Sequence, residues 1–377
     1  MVILHGSSCD PKRLIHMAAA FKLRAWRGDY AKLRANINAP EDSLNNHSMN
    51  KLAFPILAVL ADGKFHSGEA LARQFGVTRA TVYNAIQAAQ TLGITVFSVR
   101  GRGYRLPKPV TVLDADAILQ ACGEYAPWFH LQVLAQVDST NRYLMQESAR
   151  GVAHGTCAVA QIQTAGRGRR GRTWLSQLGG SLTFSLLWRF QCGAAGLSGL
   201  SLIIGLALLR ALHEIGLTEV QLKWPNDLVV MYQGQWHKLG GILIELQGDM
   251  EGPSAAVIGI GLNLEIEQAM RQQIEQPVLG LNQLSGQALN ANELLGRCLA
   301  ALALHLNQFA EHGFIYFQES WMAHHAFHQQ AVNLLMANGQ VVAGQVIGVA
   351  EEGSLLVETA HGRQRFNAGE ISVRSAA

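Results

Sequence analysis

The 377-residue chain is 49% hydrophobic and only 15% charged, so most of it can bury a core, and its length calls for two or three domains rather than one. Its five cysteines, Cys9, Cys122, Cys157, Cys192 and Cys298, form no C-x-x-C pair. Neither a zinc site nor a disulfide framework is indicated, and a reducing, cytoplasmic setting fits best. The net charge of +3 is unevenly spread: residues 49–110 carry eight basic against two acidic side chains, residues 111–377 fifteen against twenty-one. A small basic module joined to a larger acidic body suggests a nucleic-acid contact by the former.

In chain order, residues 1–48 carry a basic amphipathic patch, Lys12 to Arg34, and a polar run, Asn38 to Ser48. They read as a poorly ordered extension or a mis-called start ahead of Met49, with a short targeting segment as the alternative. They lack the clean apolar core and cleavage site of a secretory signal. A helix follows at Leu52–Leu60. Ser67 then caps a second helix to Phe75, Gly76-Val77 turns, and Thr78 caps a third to Leu92. Helix, glycine turn and helix make a helix-turn-helix. Ile94–Val99 and Tyr104–Leu106, around Arg100-Gly-Arg-Gly103, read as a β-hairpin wing. Thr78, Arg79, Thr81, Tyr83 and Asn84 on the third helix, with Arg100 and Arg102 on the wing, are the candidate DNA-binding residues.

From Leu113 to about residue 325 the chain reads as mixed α/β. Strands are expected at Val133–Val137, Thr156–Ala160, Leu182–Leu187, Gly241–Leu246 and Ala256–Ile260, and helices at Ser198–Ile215 and Ala291–Glu311. The apolar stretch Leu197–Leu212 is broken by Ser198, Gly199, Ser201, Gly205 and Arg210, so a buried helix fits better than a membrane span, and no membrane partner is expected. The last fifty residues turn to β, at Ala331–Leu335, Gln340–Ile347, Ser354–Glu358 and Arg365-Phe366. A small SH3-like barrel is the expectation. The division is 1–48, 49–110, 111–325 and 326–377.

Gly166-Arg-Gly-Arg-Arg-Gly171 fits G-x-G-x-x-G, the flag of a dinucleotide turn. The context does not fit: no amphipathic helix follows, and the next acidic residue is Glu214. Arg167, Arg169, Arg170 and Arg172 instead suit a polyphosphate or acyl phosphate, whose leaving charge arginine neutralises. Four arginines so close should repel one another in the empty protein, making the loop mobile until a ligand orders it. Asp138-Ser-Thr-Asn141 offers small donors and acceptors for a polar ring head such as a ureido group, or an ordinary helix cap. Lys223-Trp-Pro-Asn-Asp-Leu228 places Asn226 and Asp227 where they would hold phosphate oxygens, a magnesium ion or an amine. Lys238 precedes an apolar strand and would pair with a carboxylate, then with the phosphate made from it.

Together Asp138–Asn141, Gln163–Trp174, Lys223–Leu228, Lys238–Leu243 and Gly259–Asn263, in that order, resemble the biotin–protein ligases, and Ala368–Arg374 resembles that family's final strand. The N-terminal winged helix makes the bifunctional type, ligase and biotin operon repressor, the nearest likeness. The resemblance implies a catalytic domain of the biotin/lipoate ligase type. It would make biotinyl-5′-AMP from biotin and ATP with Mg2+ and transfer biotin to a lysine of the biotin carboxyl carrier protein of acetyl-CoA carboxylase. Carried over by motif, Ser139, Thr140, Asn141 and Gln163 hold the biotin head. Arg167, Gly168 and Arg169 lie over the carboxylate and the adenylate phosphate. Lys238 stabilises developing charge, and Asp227 assists the incoming lysine and is the candidate metal ligand. Arg170, Arg172, Trp174, Asn226, Asn263 and Arg374 face ATP. The resemblance also implies a homodimer that binds operator DNA when adenylate-bound. The third helix carries one basic residue, Arg79, which leaves open a ligase with a vestigial winged helix. A lipoate-type ligase is the other alternative.

Overall fold

In the computed structural model the described residues are 52–248, 252–336, 338–369 and 371–375. The expected extension at 1–48 lies outside them.

The basic module begins with helices α1 (Ala53–Leu60), α2 (Gly68–Gln74) and α3 (Arg79–Thr91). Ser67 Oγ accepts the Ala70 N–H and Thr78 Oγ1 the Thr81 N–H, so both helices start at the hydroxyls the sequence marks. Ile56, Leu60, Leu71, Val82, Ile86 and Leu106 form the module's core. Strands β1 (Phe97–Val99) and β2 (Gly103–Arg105) pair antiparallel as the wing. The first is shorter than expected: Ile94 and Val96 are buried, but only three residues have a partner strand opposite them. Gly103 has φ +100°, and a Cβ there would lie 2.0 Å from the His66 carbonyl oxygen, so no other residue closes this turn.

The larger body is built on a seven-stranded sheet of β3 (His130–Val137), β4 (Thr156–Gln163), β7 (Ser181–Phe190), β8 (Gln221–Lys223), β9 (Asp227–Tyr232), β10 (Gln235–Gly248) and β11 (Ser254–Asn263). Its order is β3-β4-β7-β11-β10-β9-β8, and only β3 and β4 run parallel. The short β5 (Gly166–Arg167) and β6 (Thr173–Trp174) form a hairpin between β4 and β7. Three helices precede or interrupt the strands: α4 (Ala115–Cys122), α5 (Thr140–Ala149) and α6 (Leu200–Glu214). After the sheet come α7 (Gln268–Arg271), α8 (Leu281–Ser285), α9 (Ala291–His312) and α10 (Gln318–Ala323). Helices α6 and α9 pack together over one face of the sheet in the main core, while Leu144 of α5 covers the other with Ala158, Leu187 and Val257. Ala194–Glu214 has the length and hydropathy of a membrane span, but 67% of that window is buried inside the protein, which accords with the buried-helix reading.

The C-terminal strands β12 (Ala331–Met336), β13 (Val341–Val349), β14 (Leu355–Thr359), β15 (Gly362–Phe366) and β16 (Ile371–Ser375) form the SH3-like unit. It is an antiparallel sheet in the order β15-β14-β13-β12-β16. It is joined to the larger sheet by main-chain bonds from Leu222 N to His324 O, 2.9 Å, and from Ala326 N to Leu222 O, 2.8 Å. The winged helix is joined by Ile162 of β4, which packs into its core with Val110 and Leu178, and by an ion pair between Lys108 and Glu265.

Candidate active site

One cavity of about 760 Å³ opens where β7, β11, β10 and β9 run side by side, roofed by the β5–β6 hairpin and closed at one end by β16. All fourteen residues expected to hold the biotin head, the carboxylate or ATP line it, and so does Asp227. The sheet register explains how residues so far apart in sequence meet. Thr183 on β7 stands opposite Gly261 on β11, Gly261 opposite Gly241 on β10, Gly241 opposite Asp227 on β9, and Asp227 opposite Lys223 on β8. The two central glycines leave this row open: a Cβ on Gly261 would lie 2.4 Å from Trp174 Cε2, and one on Gly241 3.0 Å from Lys238 Nζ.

At one end sits a neutral polar cradle. Gln163 Oε1 accepts from Thr140 N, 2.7 Å, and Thr140 Oγ1, 3.0 Å. Ser185 Oγ lies 2.7 Å from Thr140 Oγ1 and 2.6 Å from Asn141 Oδ1. Asn141 Nδ2 donates to Glu245 Oε2, 2.9 Å, and to Leu243 O, 3.3 Å. Ser139 occupies the N-cap position of α5, but its side chain caps nothing. The helix-cap reading of Asp138–Asn141 therefore does not account for these buried side chains.

At the other end the charge is positive. Lys238 Nζ pairs with Asp227 Oδ1 at 2.7 Å, both side chains largely buried. Lys223 lies across the same hairpin, and burial drives its ammonium down to about 8, against the opposing pull of Asp227. Arg172 and Arg374 line this end too. Asn263 Nδ2 donates to Lys238 O, 3.3 Å.

Three of the four loop arginines have partners within the protein. Arg167 pairs with Glu245 at 3.0 Å. Arg169 donates to Asn226 Oδ1, 2.9 Å, and to the Ala368 carbonyl. Arg170, in a left-handed conformation at φ 57°, donates to Ser372 Oγ, 3.1 Å, and Gly369 O, 2.9 Å. These bonds tie the loop to the C-terminal segment that carries β16. Burial pulls the Arg169 guanidinium below its usual value, with Asp227 opposing. Asn226 is the strut of this arrangement, its Nδ2 donating to Ile242 O at 2.8 Å.

Among the described residues no three His, Cys, Asp or Glu side chains converge as a metal cage. Asp227 would offer a divalent cation one carboxylate, and that one is paired to Lys238. An ion here would take most of its ligands from substrate phosphates and water, the usual habit of Mg2+.

Sequence reasoning missed Thr183, Ser185, Glu245 and the cavity-facing role of Lys223. The signal was present for three of them. Ser181, Thr183 and Ser185 recur with period two in an otherwise apolar strand, and Glu245 interrupts another; both are patterns of a polar inner face.

In the winged helix, Arg79, Tyr83 and Asn84 are exposed on α3, Tyr83 by 52%. Thr78 and Thr81 are partly engaged already, their hydroxyls 2.9 Å apart. Arg100 is exposed on the wing, while the Arg102 guanidinium stacks 4.2 Å from the Phe65 ring.

Residues 133–263 match the Biotin/lipoate A/B protein ligase family, residues 53–105 an HTH domain, and residues 327–374 the Biotin protein ligase C terminal domain. The bifunctional ligase/repressor BirA of Salmonella typhimurium is 36% identical over 321 residues, 85% of this chain and 97% of the relative. The chain belongs to the bifunctional biotin ligase/repressor family. The Escherichia coli BirA is 35% identical, over 87% of this chain and 98% of that one. Among solved structures, the Aquifex aeolicus biotin protein ligase in complex with biotin and ATP is 32% identical, with a TM-score of 0.56. The match covers 66% of this chain and 99% of that one. The family's two activities map onto separate parts of this chain, a helix-turn-helix unit and a ligase body with its C-terminal sheet.

Proposed function

We propose that the cavity binds biotin and ATP together, makes biotinyl-5′-AMP, and passes the biotinyl group to a lysine of the biotin carboxyl carrier protein of acetyl-CoA carboxylase. One observation carries the reading: a single cavity holds the neutral cradle of Thr140, Asn141 and Gln163, backed by Ser185, at one end and Arg169, Arg172, Lys223, Lys238 and Arg374 at the other. The head of the acid lies in the cradle, fixed by groups that are themselves held by Gln163 and Glu245. Its carboxylate reaches Lys238 and Arg169. A carboxylate oxygen attacks the α-phosphorus of ATP and pyrophosphate leaves; the added charge on the phosphoryl oxygens is met by Lys238, Arg169 and the arginines beside them. In the second step the carrier lysine's nitrogen attacks the acyl carbon, AMP leaves, and Asp227 takes up the amine proton. Asp227 and the ATP phosphates would hold Mg2+, which supplies charge neutralisation at the phosphates. Ser139 and Gly168 complete the lining, and Arg170, Trp174, Asn226 and Asn263 stand on the ATP side.

This reading divides the chain into 49–110 for DNA, 111–325 for ligation and 326–377 as the C-terminal sheet that anchors the arginine loop. The adenylate-filled protein dimerises and binds operator DNA through α3 and the wing. Ile162 gives that coupling a route: it sits in the winged-helix core, one residue before Gln163 of the cradle. The free cysteines Cys122, Cys157, Cys192 and Cys298 support a cytoplasmic protein.

The test is one incubation of protein, ATP, labelled biotin and a carrier domain. Transfer of label to the carrier lysine, dependent on ATP, is expected; no transfer of biotin, with lipoate accepted instead, overturns the reading. A gel shift on promoter DNA tests the second half, with binding expected only when biotin and ATP are both present.

A further inference from the structure

Glu245 does not line the cavity, yet it holds two residues that do, Asn141 and Arg167. Its Oε2 accepts from Asn141 Nδ2 at 2.9 Å, and its Oε1 pairs with Arg167 Nη1 at 3.0 Å. Leu243, Ile244 and Leu246 beside it on β10 are apolar, so packing alone does not call for a carboxylate here. An ionised carboxylate accepts on both oxygens, whereas an amide of the same shape accepts on one. Only the carboxylate can serve both partners. The two contacts also close a circuit. Gln163 Oε1 accepts from Thr140 Oγ1, Thr140 Oγ1 meets Ser185 Oγ, Ser185 Oγ donates to Asn141 Oδ1, and Asn141 Nδ2 reaches Glu245. Arg167, at the far side of Glu245, is on the same segment as Gln163, four residues further on. The Asn141 amide is held in one orientation, because Nδ2 also donates to Leu243 O at 3.3 Å while Oδ1 accepts from Ser185.

We propose that Glu245 is a positioning residue of the ligase, one carboxylate tying the head cradle, through Asn141, to the arginine loop, through Arg167. The inference rests on the biotin reading above, in which Asn141 meets the ring head and Arg167 lies over the carboxylate and the adenylate phosphate. Head recognition and retention of the adenylate are then set by the same group from its two oxygens. The two arms differ in strength. Asn141 is buried, so its amide needs the acceptor; the Arg167 side chain is 44% exposed, and water competes for it.

The test uses the full chain as wild type, Glu245→Gln and Glu245→Ala. Calorimetry gives the biotin Kd without nucleotide, a label chase gives the release rate of biotinyl-5′-AMP formed in the site, and thermal melting reports the fold. Glutamine keeps the shape and one acceptor, which stays with the buried Asn141 and leaves Arg167 without its partner. Glu245→Gln should therefore hold the biotin Kd within about twofold and speed adenylate release about threefold to fivefold, with melting unchanged. Glu245→Ala should speed release as much and also weaken biotin about fivefold to tenfold. Release at the wild-type rate in the glutamine variant, or wild-type biotin affinity in the alanine variant, overturns the inference alone. So does a glutamine variant that melts lower and loses biotin affinity and adenylate in step, the mark of a packing residue. A wild type that neither binds biotin nor forms an adenylate overturns the biotin reading, and the inference with it.

Discussion

Replacing Lys238 by methionine keeps the length and apolar stem of the side chain and deletes the ammonium. That ammonium lies 2.7 Å from Asp227 Oδ1, with 17% of its side chain and 18% of its partner's exposed. At an effective dielectric near 20, the gross attraction at this distance is about 6 kcal/mol. Withdrawing the two ions from water costs several kcal/mol each, so the intact pair contributes little net stability. Removing one member is different, because Asp227 then keeps its desolvation without its counter-charge. The expected loss is about 2–3 kcal/mol, below that of a fully buried pair because water still reaches this one. The reaction suffers more: the phosphoryl oxygens lose a positioned donor, worth about 3–4 kcal/mol or roughly 100- to 1000-fold in rate. Pyrophosphate release gives the rate, and thermal melting gives the stability. A double variant, Lys238→Met with Asp227→Asn, should regain most of the melting temperature and none of the rate. A folded Lys238→Met protein that forms adenylate within about fivefold of wild type would refute the role given to this lysine.

Three further outcomes are expected. Lys223 has its folded value depressed to about 8, so between pH 8 and its ordinary value of 10.5 the unfolded chain binds the extra proton and stability rises with pH. Urea unfolding at pH 7, 8 and 9.5 should show that rise, and Lys223→Met should remove it while raising stability at pH 7. Gly261→Ala would place a methyl carbon 2.4 Å from Trp174 Cε2 and force the ring off the cavity floor. ATP and biotin affinities measured by calorimetry should both weaken tenfold or more, by about 1.4 kcal/mol or above, with the winged helix unaffected. Arg100→Ala should weaken DNA binding across sequences and lower the salt dependence of log K by about one unit, as loss of one phosphate contact does; an unchanged salt slope would remove Arg100 from the interface.

Much of this protein was legible before folding. Ser67 and Thr78 announced two helices because a hydroxyl at that position satisfies a free N–H whatever the tertiary context. The wing showed itself through Gly101 and Gly103, and the arginine loop through a charge density that no dinucleotide turn needs. The misses have one cause. β8 and β9 are three and six residues long, too short for periodicity to separate from loop, yet their hairpin carries Lys223 and Asp227 into the site. Thr183, Ser185 and Glu245 sit in strands read only for their apolar content, and their meaning depends on which strand lies alongside.

Local sequence determined the helix starts, the turn glycines, the basic wing and the identity of the groups that do chemistry. These follow from each residue's own backbone preference, charge and hydrogen-bonding capacity. Tertiary structure decided what those groups face. Strand order brought Thr183, Gly261, Gly241, Asp227 and Lys223 into one row, from positions up to 78 residues apart. The C-terminal sheet supplied the carbonyls of Ala368 and Gly369 that hold Arg169 and Arg170. Repulsion among the four arginines was readable from spacing alone. Its relief was not, because the partners arrive from 78 and 199 residues away through the fold.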